Sequence, residues 1–73
     1  MLKYMPVEEV MTNEDVGEYV SYGIEVRYGD QVIDRVSDID TDREGVEKLC
    51  VLCNRLKLSP IHLRDIVEDY LDK

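Results

Sequence analysis

The sequence predicts an α+β fold, a small antiparallel β-sheet of two or three strands followed by and packed on a helical hairpin, and three observations carry it. From Glu18 to Tyr28, Val20, Tyr22, Ile24, Val26 and Tyr28 alternate with Tyr19, Ser21, Gly23, Glu25 and Arg27, the period-two pattern of a half-buried strand rich in β-branched and aromatic residues. Gly29-Asp30 interrupts the pattern and a second apolar-containing run follows from Gln31 to Ile39, which reads as a β-hairpin. Beyond it stand two helix start signals, Thr41 with Glu44 and Ser59-Pro60, each ahead of an amphipathic stretch.

Residues 1–17 carry the weakest pattern. Val7, Val10 and Met11 are spaced as one helical turn, while Leu2 to Met5 or Val7 to Met11 equally suit a strand. A third strand is expected, because a lone hairpin is marginal and a wider sheet is needed to cover two helices. Thr12-Asn13-Glu14-Asp15, followed by Gly17, reads as a loop.

The hairpin, residues 18–39, admits two registers. A two-residue loop pairs Val26 with Ile33 but sets Glu25 opposite Asp34. A three-residue loop with glycine in the left-handed region pairs Ile24 with Val36 and Glu25 with Arg35, and this register is expected because it matches opposite charges. It leaves Asp34 on the apolar face, which a bulge near Val32-Ile33 would relieve.

The helical hairpin, residues 41–71, begins with Thr41 as N-cap and Glu44 completing a capping box. At about 100° per residue, Val46, Leu49, Cys50, Leu52, Cys53 and Leu56 share one face of the first helix. Val51 and Leu58 fall outside it. The second helix starts from Ser59 as cap and Pro60 at its first position, with Leu58 and Leu63 at staple spacing. Leu63, Ile66, Val67, Tyr70 and Leu71 form its buried stripe, opposite Asp65, Glu68, Asp69 and Asp72.

At 73 residues the chain is expected to form a single domain, close to the size at which a core becomes small and association adds useful buried area. Nine basic against seventeen acidic side chains give a formal charge of −8. Such an acidic field repels nucleic-acid phosphates and anionic lipid surfaces, so neither is an expected partner. No run approaches the length of a membrane span and the first residues lack the pattern of a signal peptide, so a cytoplasmic protein is expected. Two cysteines one helical turn apart fit a reducing compartment.

Candidate chemistry is sparse. Cys50-Val51-Leu52-Cys53 has C-x-x-C spacing, but both thiols lie more than two turns into a helix, away from the N-terminus that lowers a thiol pKa. Core packing is the expected role. Zinc would need Cys50, Cys53 and His62 plus a fourth ligand, and His62 falls off the Leu63/Tyr70 face, so no metal or other cofactor is expected. The carboxylates of the second helix read as a solvated face, and Asp38, Asp40 and Asp42 lack the glycine and distal glutamate of a calcium loop. A helix-turn-helix reading fails on charge, since Arg64 is the one cation of the second helix before Lys73. With one histidine, no phosphate loop and no nucleophile elbow, nothing argues for an enzyme.

Tyr22-Gly23-Ile24-Glu25-Val26, Thr41-Asp42-Arg43-Glu44 and the run from Leu52 to Asp65 resemble a family of short uncharacterised proteins from clostridial-type bacteria, a domain of unknown function. The resemblance spans about residues 18–71 and implies a bacterial, cytoplasmic protein with no catalytic residue to carry over; within it, Asn54, His62 and Asp65 are the polar residues to test first. Two functions follow. One is a non-enzymatic interaction or regulatory module, binding a protein partner or forming a homodimer through the sheet edge or through Val51 and Leu58. The alternative is a metal- or thiol-dependent site using Cys50, Cys53 and His62.

Overall fold

Period-two alternation is realised here in a three-stranded meander. The computed structural model describes residues 1–72, and in it β1 (Leu2–Asn13), β2 (Gly17–Tyr28) and β3 (Gln31–Asp40) precede α1 (Arg43–Leu56), a single 3₁₀ turn (Pro60–His62) and α2 (Leu63–Leu71). The sheet is antiparallel with order β1-β2-β3, and the helices pack on one of its faces, α1 over β1 and β2 and α2 beside β3. The weakly patterned N-terminal segment is thus a full strand, paired with β2 from Leu2↔Tyr28 to Asn13↔Gly17. The loop expected over Thr12–Gly17 shrinks to Glu14-Asp15-Val16. There the Asn13 side chain accepts the Asp15 N–H at 2.7 Å, an Asx-type turn, and Gly17 supplies φ +76°.

The β2–β3 connection combines both registers. Its turn has two residues, with Gly29 at φ +60° and Tyr28 paired with Gln31. A bulge at Ile33 then shifts the register, so that Val26 faces Asp34, Glu25 faces Arg35 and Ile24 faces Val36. The expected pairing is therefore reached by a two-residue turn plus a bulge, not by a three-residue loop. Asp34, on the helix-covered face, receives a bidentate contact from Arg64 of α2 at 2.8 and 3.2 Å. Those bonds, with the Arg35 N–H, lower its pKa.

A second irregularity sets Ser37, Asp38 and Ile39 against Gly23. A Cβ at Gly23 would stand 2.4 Å from the Val36 carbonyl oxygen, so only glycine admits the crossing. Asp38 takes φ +54° at this bulge, and Ile39 is turned into the core.

The core joins Tyr4, Ile24, Val26 and Ile39 of the sheet to Val46, Leu49, Cys50 and Cys53 of α1 and to Leu63 and Val67 of α2. Each fully buried aliphatic side chain among them contributes about 2 kcal/mol of transfer free energy. The core strip on α1 is narrower than its amphipathic face: Leu52 is half-buried and Leu56 exposed, as is Leu71 at the end of α2. Twelve-residue strands span about 40 Å whereas a fourteen-residue helix covers about 21 Å. The ends of the β2 apolar face, Val20 and Tyr28, accordingly remain exposed.

Helix starts differ from the expected caps. The N-cap of α1 is Asp42, not Thr41, and neither Asp42 nor Ser59 makes a side-chain capping bond. Two contacts accompany the shift of the α1 cap from Thr41 to Asp42. The Asp40 carboxylate accepts the Asp42 N–H at 3.1 Å and the Tyr70 hydroxyl at 2.6 Å, holding the entry to α1 extended. Glu44 pairs with Lys48 one turn on, at 3.2 Å, instead of reaching back. The α1 C-terminus closes with Lys57 at φ +51° and the Leu58 N–H on the Cys53 carbonyl, a left-handed cap.

Candidate functional site

The polar group that ties helix to sheet is Asn54. Its Oδ1 accepts the Tyr4 N–H at 2.8 Å and its Nδ2 donates to the Tyr4 carbonyl at 3.0 Å. The side-chain amide thereby stands where a neighbouring strand would. Since β1 is a sheet edge, the outward backbone groups of an antiparallel strand belong to alternate residues, here Leu2, Tyr4, Pro6 and Glu8. Tyr4 is satisfied by Asn54, and Pro6 has no N–H to offer. This part of the edge is closed to strand addition.

Tyr4 is also the deepest residue of β1, at 2% exposure. Its hydroxyl donates to the Leu58 carbonyl, and burial, ahead of the charges of Cys53 and Asp34, raises its pKa. Leu58, expected as a possible contact residue, is engaged inside the protein: it packs against the core. Val51, by contrast, is 63% exposed.

Along the Tyr4–Asn54 bridge lie two adjacent hollows. One, of about 440 Å³, is lined by Met1, Leu2, Lys3, Tyr4, Cys53, Asn54 and Lys57. The other, of about 240 Å³, runs on past Met5 and Pro6 to Glu47, Cys50 and Val51. Lys3, Tyr4 and Asn54 border both. The sheet-edge side and the Val51 side of α1, separate in the sequence, therefore bound one groove between β1 and α1.

The remaining candidates are dispersed or internally satisfied. Cys50 and Cys53 are buried and unpaired with each other. Burial, then the neighbouring Cys53 and Glu47, pushes the Cys50 thiol up to about 12, and burial raises Cys53 as well. Such thiols are protonated at neutral pH and poor nucleophiles. His62 is exposed in the 3₁₀ turn, 3.8 Å from Asp65. Among the described residues no group of three or more His, Cys, Asp or Glu side chains converges as a metal would require. Asp65, Glu68, Asp69 and Asp72 are exposed along α2.

On the sheet face away from the helices, Ser21 and Glu25 are buried polar residues. Ser21 donates to Asp38 at 2.6 Å, Tyr19 donates to the same carboxylate, and Glu9 accepts the Asp38 N–H at 3.0 Å. Glu25 pairs with Arg27, and Arg35 stands 3.7 Å from Glu9. These contacts brace the bulge at Asp38. Among the described residues no buried side-chain polar atom lacks a partner.

Sequence reasoning picked out Asn54 and Val51 but missed Tyr4. Its one available signal was Pro6 two residues on, the mark of an edge strand whose outward groups need a partner.

Fold and groove together define a two-layer α+β domain with a groove beside the partly closed β1 edge of its sheet. The chain belongs to a family of unknown function, DUF6514, which it matches over residues 1–73. No curated protein and no solved structure matches it. Among the described residues no helix is long and apolar enough to cross a membrane.

Proposed function

We propose that this domain is a non-enzymatic protein–protein interaction module of the bacterial, clostridial-type cytoplasm, and that its contact surface is the groove between β1 and α1. The observation that carries this reading is the continuity of the groove with exposed Val51: an apolar residue outside the core strip stands at the rim of the surface beside the sheet edge. Apolar side chains in a groove are the usual anchors of an interface. Tyr4, Asn54 and Pro6 make the groove floor rigid, so binding there requires little reordering. The net charge of −8 disfavours nucleic acid and an anionic membrane as the partner.

A photo-crosslinking side chain placed at Val51, and separately at Glu68 on α2, tests the assignment in cells. A discrete adduct from position 51 and none from 68 supports it. Equal patterns, or no adduct from 51, would overturn it; an adduct of twice the chain mass identifies the partner as a second copy.

A further inference from the structure

Opposite charges are unevenly matched in this molecule. Arg27, Arg35, Arg43, Lys48 and Arg64 each lie within ion-pair distance of a carboxylate: Glu25, Glu9, Glu47, Glu44 and Asp34 respectively. Among the described residues Lys3, Arg55 and Lys57 make no such contact. Acidic side chains outnumber basic ones by seventeen to nine, yet among the described residues these three cations have no carboxylate within ion-pair distance. Their positions are not scattered. Lys3 and Lys57 line the larger hollow of the groove, and Arg55 follows Val51 by four residues on α1, a neighbouring position on the same side of the helix.

We infer that the groove between β1 and α1 takes an acidic amphipathic helix from a partner protein, its apolar side chains over Leu2 and Val51 and its carboxylates against Lys3, Arg55 and Lys57. This rests on the groove being the contact surface. Three features select that occupant. Strand addition is blocked where the groove runs, because Asn54 occupies the Tyr4 backbone and Pro6 lacks a donor, leaving recognition to side chains, as in helix-in-groove binding. The groove opens to solvent, and among the described residues every buried side-chain polar atom already has a partner within the chain. A second copy fits less well, since it carries the same net charge of −8 and the central apolar residues of α2, Leu63 and Val67, are already committed to the core.

Selection of a phage-displayed library of helical peptides on the intact protein tests both the chemistry and the surface. Peptides with Asp or Glu beside an i, i+4 apolar pair are expected to be enriched. The Lys3→Glu/Lys57→Glu variant should bind them about tenfold more weakly, and rising salt should weaken them too. Its circular dichroism should be unchanged, as both positions are exposed. Neutral or basic winners that are lost on Val51→Glu would overturn the acidic partner while leaving the groove. Acidic winners indifferent to Val51→Glu would overturn the groove itself. No enrichment overturns both, as does decanoate, used as a small anionic amphiphile, shifting Leu2, Tyr4 and Cys53 resonances when no peptide is enriched.

Discussion

Replacing Asn54 should unfasten the edge of the sheet from α1. Asn54→Ala removes two hydrogen bonds, at 2.8 and 3.0 Å, to the N–H and carbonyl of one residue. At about 1 kcal/mol net for each, the loss is about 2 kcal/mol as an upper figure. Water entering the groove reduces it, because the Tyr4 groups then regain partners. A loss of about 1–2 kcal/mol in a domain of this size lowers Tm by roughly 5–15 °C. Asn54→Asp is the sharper probe. At neutral pH its carboxylate accepts the Tyr4 N–H but opposes the Tyr4 carbonyl with no proton to donate. Its folded pKa is thereby raised, so the native contact is regained below the unfolded aspartate value of about 3.9 and lost as pH rises through the folded one. Urea unfolding at pH 7 and at pH 3.5, together with exchange of the Tyr4 amide, measures both effects. An Asn54→Asp midpoint equal to wild type at pH 7, or unchanged Tyr4 amide protection in Asn54→Ala, would refute the reasoning.

Other contacts give further expectations. A Cβ at Gly45 would stand against the Tyr70 hydroxyl, with the Asp42 carboxylate at 3.1 Å and the Tyr70 Cζ at 3.2 Å, so Gly45→Ala should destabilise despite a helix-propensity gain of about 1 kcal/mol; in a Tyr70→Phe background the same change should cost less, and a double-mutant cycle without coupling rejects the packing argument. The Tyr70 hydroxyl bond lowers the Asp40 pKa, aided by the Asp42 and Thr41 N–H groups, and pushes Tyr70 up to about 12. Stability from Asp40 is therefore present above its unfolded value of 3.8 and lost as pH falls below it; that from Tyr70 is present below 10 and lost as pH rises towards about 12. Tyr70→Phe should flatten both limbs of the pH–stability curve. Cys50→Ala and Cys53→Ala should each cost about 1 kcal/mol from lost packing, and both wild-type thiols should resist a thiol reagent until the protein unfolds. Thr41→Ala should change stability by less than about 0.5 kcal/mol, since Thr41 is exposed and is not the cap; a larger fall in the urea midpoint would return the cap to it.

What the sequence determined by itself was whatever depends on near neighbours. Alternation from Glu18 to Tyr28 fixed a strand and its inward face, and Gly29-Asp30 marked the turn. A bulge was legible near Val32-Ile33 and exists at Ile33, but it does not relieve Asp34: it sets that residue opposite Val26 on the helix-covered face, where Arg64 satisfies it. Helical spacing placed Cys50 and Cys53 in the core and Val51 outside it. Caps were less legible, because Asp40 holds the Asp42 N–H and Lys48 draws off the Glu44 carboxylate that a capping box at Thr41 would use. Tertiary structure alone decided the partners of Asp34 and Tyr4, which are Arg64, thirty residues away, and Asn54, fifty residues away. It also merged the β1 edge and the Val51 side of α1 into one groove, and gathered Lys3 and Lys57 at its end. Periodicity and turn chemistry act through bonds a few residues apart, so they are written locally; which distant amide, guanidinium or ammonium comes within reach depends on how the helices settle on the twisted sheet, and no local spacing encodes that.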